Sequence, residues 1–170
     1  MGQQPQSTTV SDIYGVGPAA IYLDDISLGA TQGNTTVEIT EEEYEQVIDA
    51  YGSTPINEYQ LATNIVVTCI LKEESTTKLS RLLNTGTLDS TKITFGRYVG
   101  RAKTPHRIIV LPYDDQAHDI VIYRAATKIN WSLNYGNDAE RAYEVKFKGM
   151  IDESRSDNDK IFRLDESYSI

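Results

Sequence analysis

Residues 126–152 read ATKINWSLNYGNDAERAYEVKFKGMID, two alternating runs around a polar connector. In the first run Ile129, Trp131, Leu133 and Tyr135 alternate with Lys128, Asn130, Ser132 and Asn134. In the second, Tyr143, Val145, Phe147, Gly149 and Ile151 alternate with Glu144, Lys146, Lys148, Met150 and Asp152. Successive side chains of a strand point to opposite faces, so a period of two means one face in a core and one against water. Wound as a helix, the same residues would scatter their apolar groups all round. Gly136-Asn137-Asp138 tolerates positive φ and forms local side-chain turns, so the stretch is expected to be a β-hairpin. Its polar face needs water, either outside the protein or along the wall of an aqueous channel. Alternation alone does not choose between the two.

The rest of the composition narrows the options. A chain of 170 residues suits a single domain, 1–170, and is long enough to bury a sizeable core. A net charge of −9 argues against a groove that grips nucleic acid, because such grooves use Lys and Arg to displace phosphate counterions. No apolar run approaches the roughly 18–20 residues of a membrane span, and no basic-plus-apolar signal segment is evident, so no membrane partner is expected. Met1-Gly2 resembles a myristoylation start, but Pro5 and Gln6 break that pattern. The single Cys69 has no intrachain partner, which fits a reducing compartment. Eleven tyrosines against three phenylalanines fit surfaces that are half buried or shared with a partner.

Along the chain, residues 1–14 read as an N-terminal arm, ended by Gly15-Val16-Gly17-Pro18. Short strands are expected at 19–23 and 26–30 around a turn at Asp24-Asp25, then another at 35–40. In residues 41–51 the positions Tyr44, Val47, Ile48 and Tyr51 fall at i, i+3, i+4 and i+7, the helical template. Residues 61–71, LATNIVVTCIL, are β-branched and apolar enough for a central strand. Residues 73–83 predict a helix with a Leu79, Leu82 and Leu83 stripe, a cap at Ser75 or Thr76, and a stop at Asn84 and Gly86. A loop-rich excursion is expected over 86–104, a strand over 106–111, a turn over 113–118 and a lead-in to the hairpin over 119–125. Residues 153–170 alternate charge with turn residues, anchored by Ile161, Phe162 and Leu164, and read as a C-terminal arm.

Catalytic chemistry finds little purchase. Asp114, Asp115, His118 and Asp119 have metal-ligand side chains in loose spacing, more in keeping with a solvated acidic turn. Ser156-Asp157-Asn158-Asp159 imitates the start of a calcium loop but lacks the required Gly and Glu, since Phe162 and Tyr168 stand in their places. No G-x-S-x-G, H-E-x-x-H or C-x-x-C pattern occurs, and Cys69 sits among apolar neighbours as a small core residue. The glycines around 15–17 and 96–100 lack a P-loop lysine. His106, at a strand start after a proline, reads as exposed or hydrogen-bonded. Neither an enzyme nor a cofactor is expected. Lys92, Arg97, Arg101 and Lys103 form a basic loop on an acidic chain, either solvated or matched to an acidic patch of another copy.

The order of these pieces resembles the tail tube (major tail) proteins of tailed bacteriophages. A Gly-Pro segment leads to Ser27-Leu28-Gly29-Ala30-Thr31, followed by the acidic stretch ending Asp49-Ala50-Tyr51-Gly52-Ser53-Thr54-Pro55. Then come residues 65–71 with Lys72-Glu73-Glu74, the helix through Leu82-Leu83 and the hairpin with Asn134-Tyr135-Gly136-Asn137-Asp138-Ala139-Glu140-Arg141. Phe147, Asp152 and the terminal Lys160-Ile161-Phe162-Arg163-Leu164 complete the series. The resemblance spans about residues 15–166 and rests on order and spacing. The basic loop and the DDQAHD turn have no counterpart in it.

That resemblance implies an antiparallel β-sandwich or partial barrel with one flanking α-helix, an extended loop and terminal arms. It also implies hexameric rings stacked into a hollow tube, a virion tail component made in the host cytoplasm. Other tail proteins (terminator, tape measure and distal tail) would be its partners, and double-stranded DNA would pass through without sequence-specific contact. Under it, residues 41–51 become an extended strand and loop in place of a helix, with Glu43, Tyr44, Val47, Asp49, Tyr51 and Pro55 in a ring-stacking contact. Alternation then points Thr36, Glu38, Thr40, Thr68, Lys128, Asn130, Ser132, Glu144, Lys146 and Lys148 at the lumen. The lysines depart from the acidic lumens of that family, so acidic loops share the bore or part of the face pairs across a subunit seam. Two other classes fit parts of the sequence. A carbohydrate-type β-sandwich binding module would be a monomer with a concave aromatic patch, and a metal enzyme built on the DDQAHD turn would need a third ligand.

Overall fold

The hairpin's second run is a strand from Tyr143 to Gly149, paired antiparallel with a longer one from Asp119 to Asn130. The structure, a computed structural model, describes residues 18–29, 31–47, 53–72, 75–83, 86–96, 102–113, 118–130 and 142–165. In chain order the elements are β1 (Ala19–Leu23), β2 (Ile26–Ser27), β3 (Thr36–Val47), β4 (Pro55–Leu71), α1 (Thr76–Leu82), β5 (Gly86–Asp89), β6 (Lys92–Phe95), β7 (His106–Pro112), β8 (Asp119–Asn130), β9 (Tyr143–Gly149) and β10 (Phe162–Asp165). An 8-stranded sheet runs β2-β1-β7-β8-β9-β4-β3, with β10 also on β8, and β5 pairs β6 separately. Every strand pair is antiparallel.

The sheet is rolled, and the short link between β2 and β3 shows why. The Leu28 amide bonds the Ile21 carbonyl of β1 at 2.8 Å, and the Gln32 amide bonds the Ile70 carbonyl of β4 at 2.8 Å. The chain between those two amides reaches at most about 14 Å when fully extended. Laid flat, β1 and β4 would stand roughly 19 Å apart, with β7, β8 and β9 between them. Only curvature brings them within reach, so the sheet forms a partial barrel around its apolar face. That face supplies Ile21, Leu23, Ile65, Val67, Cys69, Leu71, Val145 and Phe147, all essentially inaccessible to water. Each such aliphatic side chain contributes about 1.5–3 kcal/mol by burial. Leu79 and Leu82, one turn apart on α1, join the same core. A helix of 7 residues has little stability of its own, so this packing is what holds it.

β8 carries a bulge that sets where the carboxyl-terminal segment goes. Between the pairs His106↔Ala125 and Ile108↔Ile122 it has one residue more than β7, around Tyr123 and Arg124. On its other edge β9 pairs residues from Ala125 to Asn130, and β10 pairs residues from Asp119 to Ile122. Two strands in succession therefore share one edge of β8.

Several sequence expectations are corrected here. Residues 41–47 are strand, as the resemblance implies and against their helical spacing, because Tyr44 and Val47 find no core to face while the backbone pairs throughout with β4. Residues 86–95 are a hairpin, not loop: Ser90 takes φ 56 at its turn, and Ile93 packs on the core. The carboxyl-terminal segment is no arm through Asp165, since β10 adds to β8 and Ile161 and Phe162 pack on the core. The 1–14 arm, Ser132 and the connector 136–138 lie outside the described residues.

Candidate functional site

Register brings the alternating polar residues of distant segments onto one face. Lys128 stands opposite Lys146, which is opposite Thr68, which is opposite Thr36. The next row runs Ala126, Lys148, Val66 and Glu38, and the row before it runs Asn130, Glu144 and Ile70. Thr40 follows Glu38 on β3, opposite Asn64. All the described residues assigned by alternation to a lumen thus share the outer face of β8, β9, β4 and β3. Thr36, Glu38, Thr40, Lys128, Asn130, Lys146 and Lys148 are exposed there, and Thr68 and Glu144 half-buried. Asn130 and Lys146 each approach Glu144 at 3.5 Å.

Past that face the sheet narrows to a ribbon. β9 leaves β4 at Val66, so the preceding length of β4 pairs only with β3. Opposed residues there include Glu43 and Gln60, Tyr44 and Tyr59, Glu45 and Glu58, and Val47 and Pro55. Leu61 is 65%, Tyr44 55% and Tyr59 51% exposed. Polar side chains tie the ribbon together: Asn57 and Tyr59 both donate to Gln46 at 3.2 Å, and Gln60 donates to Glu41 at 3.1 Å. A hydrogen bond to Glu58 and repulsion by it raise the Glu43 carboxyl, with Glu41 and Glu45 adding to the effect. Of the predicted stacking residues, Glu43, Tyr44, Val47 and Pro55 come together on this ribbon, while Asp49 and Tyr51 lie outside the described residues.

At the base of the ribbon are two adjoining clefts of about 450 and 460 Å³ that share Thr63, Ile151 and Ile161. Neither is lined by tyrosine or tryptophan. The basic loop is divided by the fold. Lys92 opens β6 on the small hairpin, the Lys103 ammonium donates to the Thr127 carbonyl at 2.7 Å, and Arg97 and Arg101 lie outside the described residues.

Of the metal-like turn, His118 and Asp119 are described and Asp114 and Asp115 are not. Among the described residues no group of three His, Cys, Asp or Glu is placed to hold a metal ion. Asp157 pairs with Lys160 at 2.5 Å, and Asp159 with Arg155 at 2.6 Å and with the Tyr123 hydroxyl. Arg155 also lies 3.6 Å from the centre of the Tyr123 ring. This latch from the carboxyl-terminal segment to the β8 bulge went unread in the sequence, because nothing local links residue 123 to 155 and 159. His106 Nδ1 lies 2.6 Å from Asp24 Oδ2, and Asp24 also accepts from the Arg107 amide at 2.8 Å. These contacts hold the β1–β2 turn, where Asp24 and Asp25 take φ 49 and 67.

The fold defines an antiparallel, mainly β protein with one α-helix among its described residues. No helix among them is long and apolar enough to cross a membrane. No family model matches the sequence, and no curated protein matches it.

Proposed function

We propose that the chain is the subunit of a hollow tube of the bacteriophage-tail type, closing into rings that stack and conduct DNA during ejection. One observation carries this reading: residues from β3, β4, β8 and β9 form a single water-facing polar surface that is continuous with a projecting two-stranded ribbon. A solitary globule has no use for a ribbon that leaves Tyr44, Tyr59 and Leu61 in water. In a tube both features have a place, since a subunit needs one heterologous contact that closes around the ring and another that repeats along the axis. β3 is the edge strand of the sheet, and its unpaired backbone can add to a neighbour's sheet around the ring. The ribbon then supplies the axial contact. A mixed-charge wall on an acidic chain gives a passing duplex no continuous basic track to hold.

Other tail proteins would cap such a tube, and no catalytic step belongs to the proposal. The deciding experiment is negative-stain electron microscopy with sedimentation velocity on the purified protein over a concentration series. Rings or tubes with a bore wide enough for duplex DNA are expected. A monodisperse monomer at the highest concentration would overturn the reading in favour of a self-contained binding module.

A further inference from the structure

Among the described residues, the polar face and the ribbon each carry a cluster of like charges. Lys128 and Lys146 are direct cross-strand partners, and Lys148 follows on the same face of β9. Like charges placed directly opposite destabilise a sheet. Lys146 has Glu144 at 3.5 Å, and neither Lys128 nor Lys148 meets a carboxylate among the described residues. On the ribbon Glu41, Glu43 and Glu45 alternate along β3, Glu41 accepting from Gln60, and Glu58 of β4 stands opposite Glu45. Glu43, Glu45 and Glu58 repeat the spacing of the basic set: two charges about 6.6 Å apart on one strand, and a third on the adjacent strand about 5 Å away.

The two sets cannot meet within one chain. β3 has no extra residue between Thr36 and Val47, because at the first register shift β4 contributes the additional residue, Leu61. Strand parity thus puts Glu43 and Glu45 on the face of Val37, which packs on the core, and the lysines on the face of Glu38. The acidic face of the ribbon looks to the core side of the sheet and the lysines look to the opposite side. Copies lapped like roof tiles, all facing the same way, bring one molecule's ribbon underside over the next one's lysines. We infer that the lysine cluster Lys128, Lys146 and Lys148 is the docking surface for the acidic ribbon face Glu43, Glu45 and Glu58 of a second copy. The inference rests on the tube reading and names the surface that receives the ribbon. It leaves Thr36, Glu38, Thr40 and Thr68 to line the bore and moves the lysines to a seam between subunits. A contact between opposite charges is steered by them and weakens with salt.

The test is reciprocal charge reversal in the full chain. One variant carries Lys128→Glu, Lys146→Glu and Lys148→Glu, and the other carries Glu43→Lys, Glu45→Lys and Glu58→Lys. Every altered side chain is exposed, and circular dichroism with thermal melting checks that each variant folds. Each alone is expected to lose assembly by microscopy and sedimentation, because its ribbon and its docking face then carry the same sign. Mixing the two is expected to restore particles at 1:1 stoichiometry, since each ribbon again meets a face of opposite charge. Assembly of either variant alone at the wild-type level, or a mixture that stays unassembled, would overturn the inference while wild-type tubes keep the broader reading. Normal assembly of both variants, with weaker retention of a fluorescent DNA duplex by the lysine variant alone, would assign the lysines to phosphate contact instead. A wild-type chain that never self-associates would remove the tube reading and this inference together.

Discussion

Gly149 and Cys69 show how tightly single positions are set. A Cβ on Gly149 would lie 2.4 Å from the Ile65 Cγ2 methyl and 3.4 Å from that of Ile161. Ile65 is fully buried and stiff at its branch point, so it has no room to turn away. Gly149→Ala is expected to cost about 1–3 kcal/mol, and a chain of this size loses about 2–4 °C of melting midpoint per kcal/mol. An unchanged melt would mean that the Ile65 methyl does not press on position 149 as described. At Cys69, burial pushes the thiol up to about 12 from its ordinary value of 9.0. The folded chain thus holds this proton more tightly than the unfolded chain. Below pH 9 the difference contributes no pH dependence, and between 9 and about 12 stability falls by up to about 1.4 kcal/mol per pH unit. Urea unfolding at pH 8 and pH 10 should show this extra loss in the wild type and not in Cys69→Ala. Equal losses in both would place the titration elsewhere. The core role of Cys69 was legible from its apolar neighbours, whereas the demand for glycine at 149 was not, because Ile65 and Ile161 approach it only in three dimensions.

Among the elements, the carboxyl-terminal segment and the ribbon have opposite supports. The segment is latched by Tyr123, Arg155 and Asp159, and the Tyr123 hydroxyl and the Arg155 guanidinium hold the Asp159 carboxyl below its ordinary value. A depressed carboxylate stabilises above its unfolded value of 3.8 and loses that contribution as pH falls through the lower folded one. Asp159→Asn should therefore speed amide exchange across Phe162–Asp165 at neutral pH and leave the exchange of β9 unchanged. Equal protection in both proteins would show the latch to be idle. Along the ribbon two strands pair with each other alone, a marginal arrangement in water. Amides of Glu43–Val47 are expected to exchange orders of magnitude faster than those of Ile65–Leu71 in the unassembled chain, and to slow on assembly. Uniform slow exchange in the monomer would mean that the ribbon needs no partner. Helical spacing at 41–47 does not give a helix for a related reason, since periodicity reports on a buried face and neither face of the ribbon's described residues is buried.

For the molecule as a whole, the rolled sheet and the ribbon are separable. Excising residues 44–59 and joining Glu43 to Gln60, which stand opposite each other, through an Asn-Gly turn should leave the body's melting midpoint within a few degrees, because the buried core residues described lie outside the excised stretch. Under the proposed tube, the same excision is expected to abolish ring stacking in sedimentation, and stacked tubes from the shortened chain would assign the axial contact elsewhere. By itself the sequence determined the mainly β class with one helix, the hairpin alternation, the Leu79 and Leu82 stripe and the absence of any recognisable catalytic motif, because each is a matter of local period or residue chemistry. Only the tertiary structure decided that β10 shares an edge of β8 with β9, that Lys103 is committed to Thr127, and that Lys128, Lys146 and Lys148 lie on the opposite face of the sheet from Glu43, Glu45 and Glu58. Those outcomes depend on which strand pairs with which and in what register, and hydrogen bonding between distant strands leaves no periodic trace in either one alone.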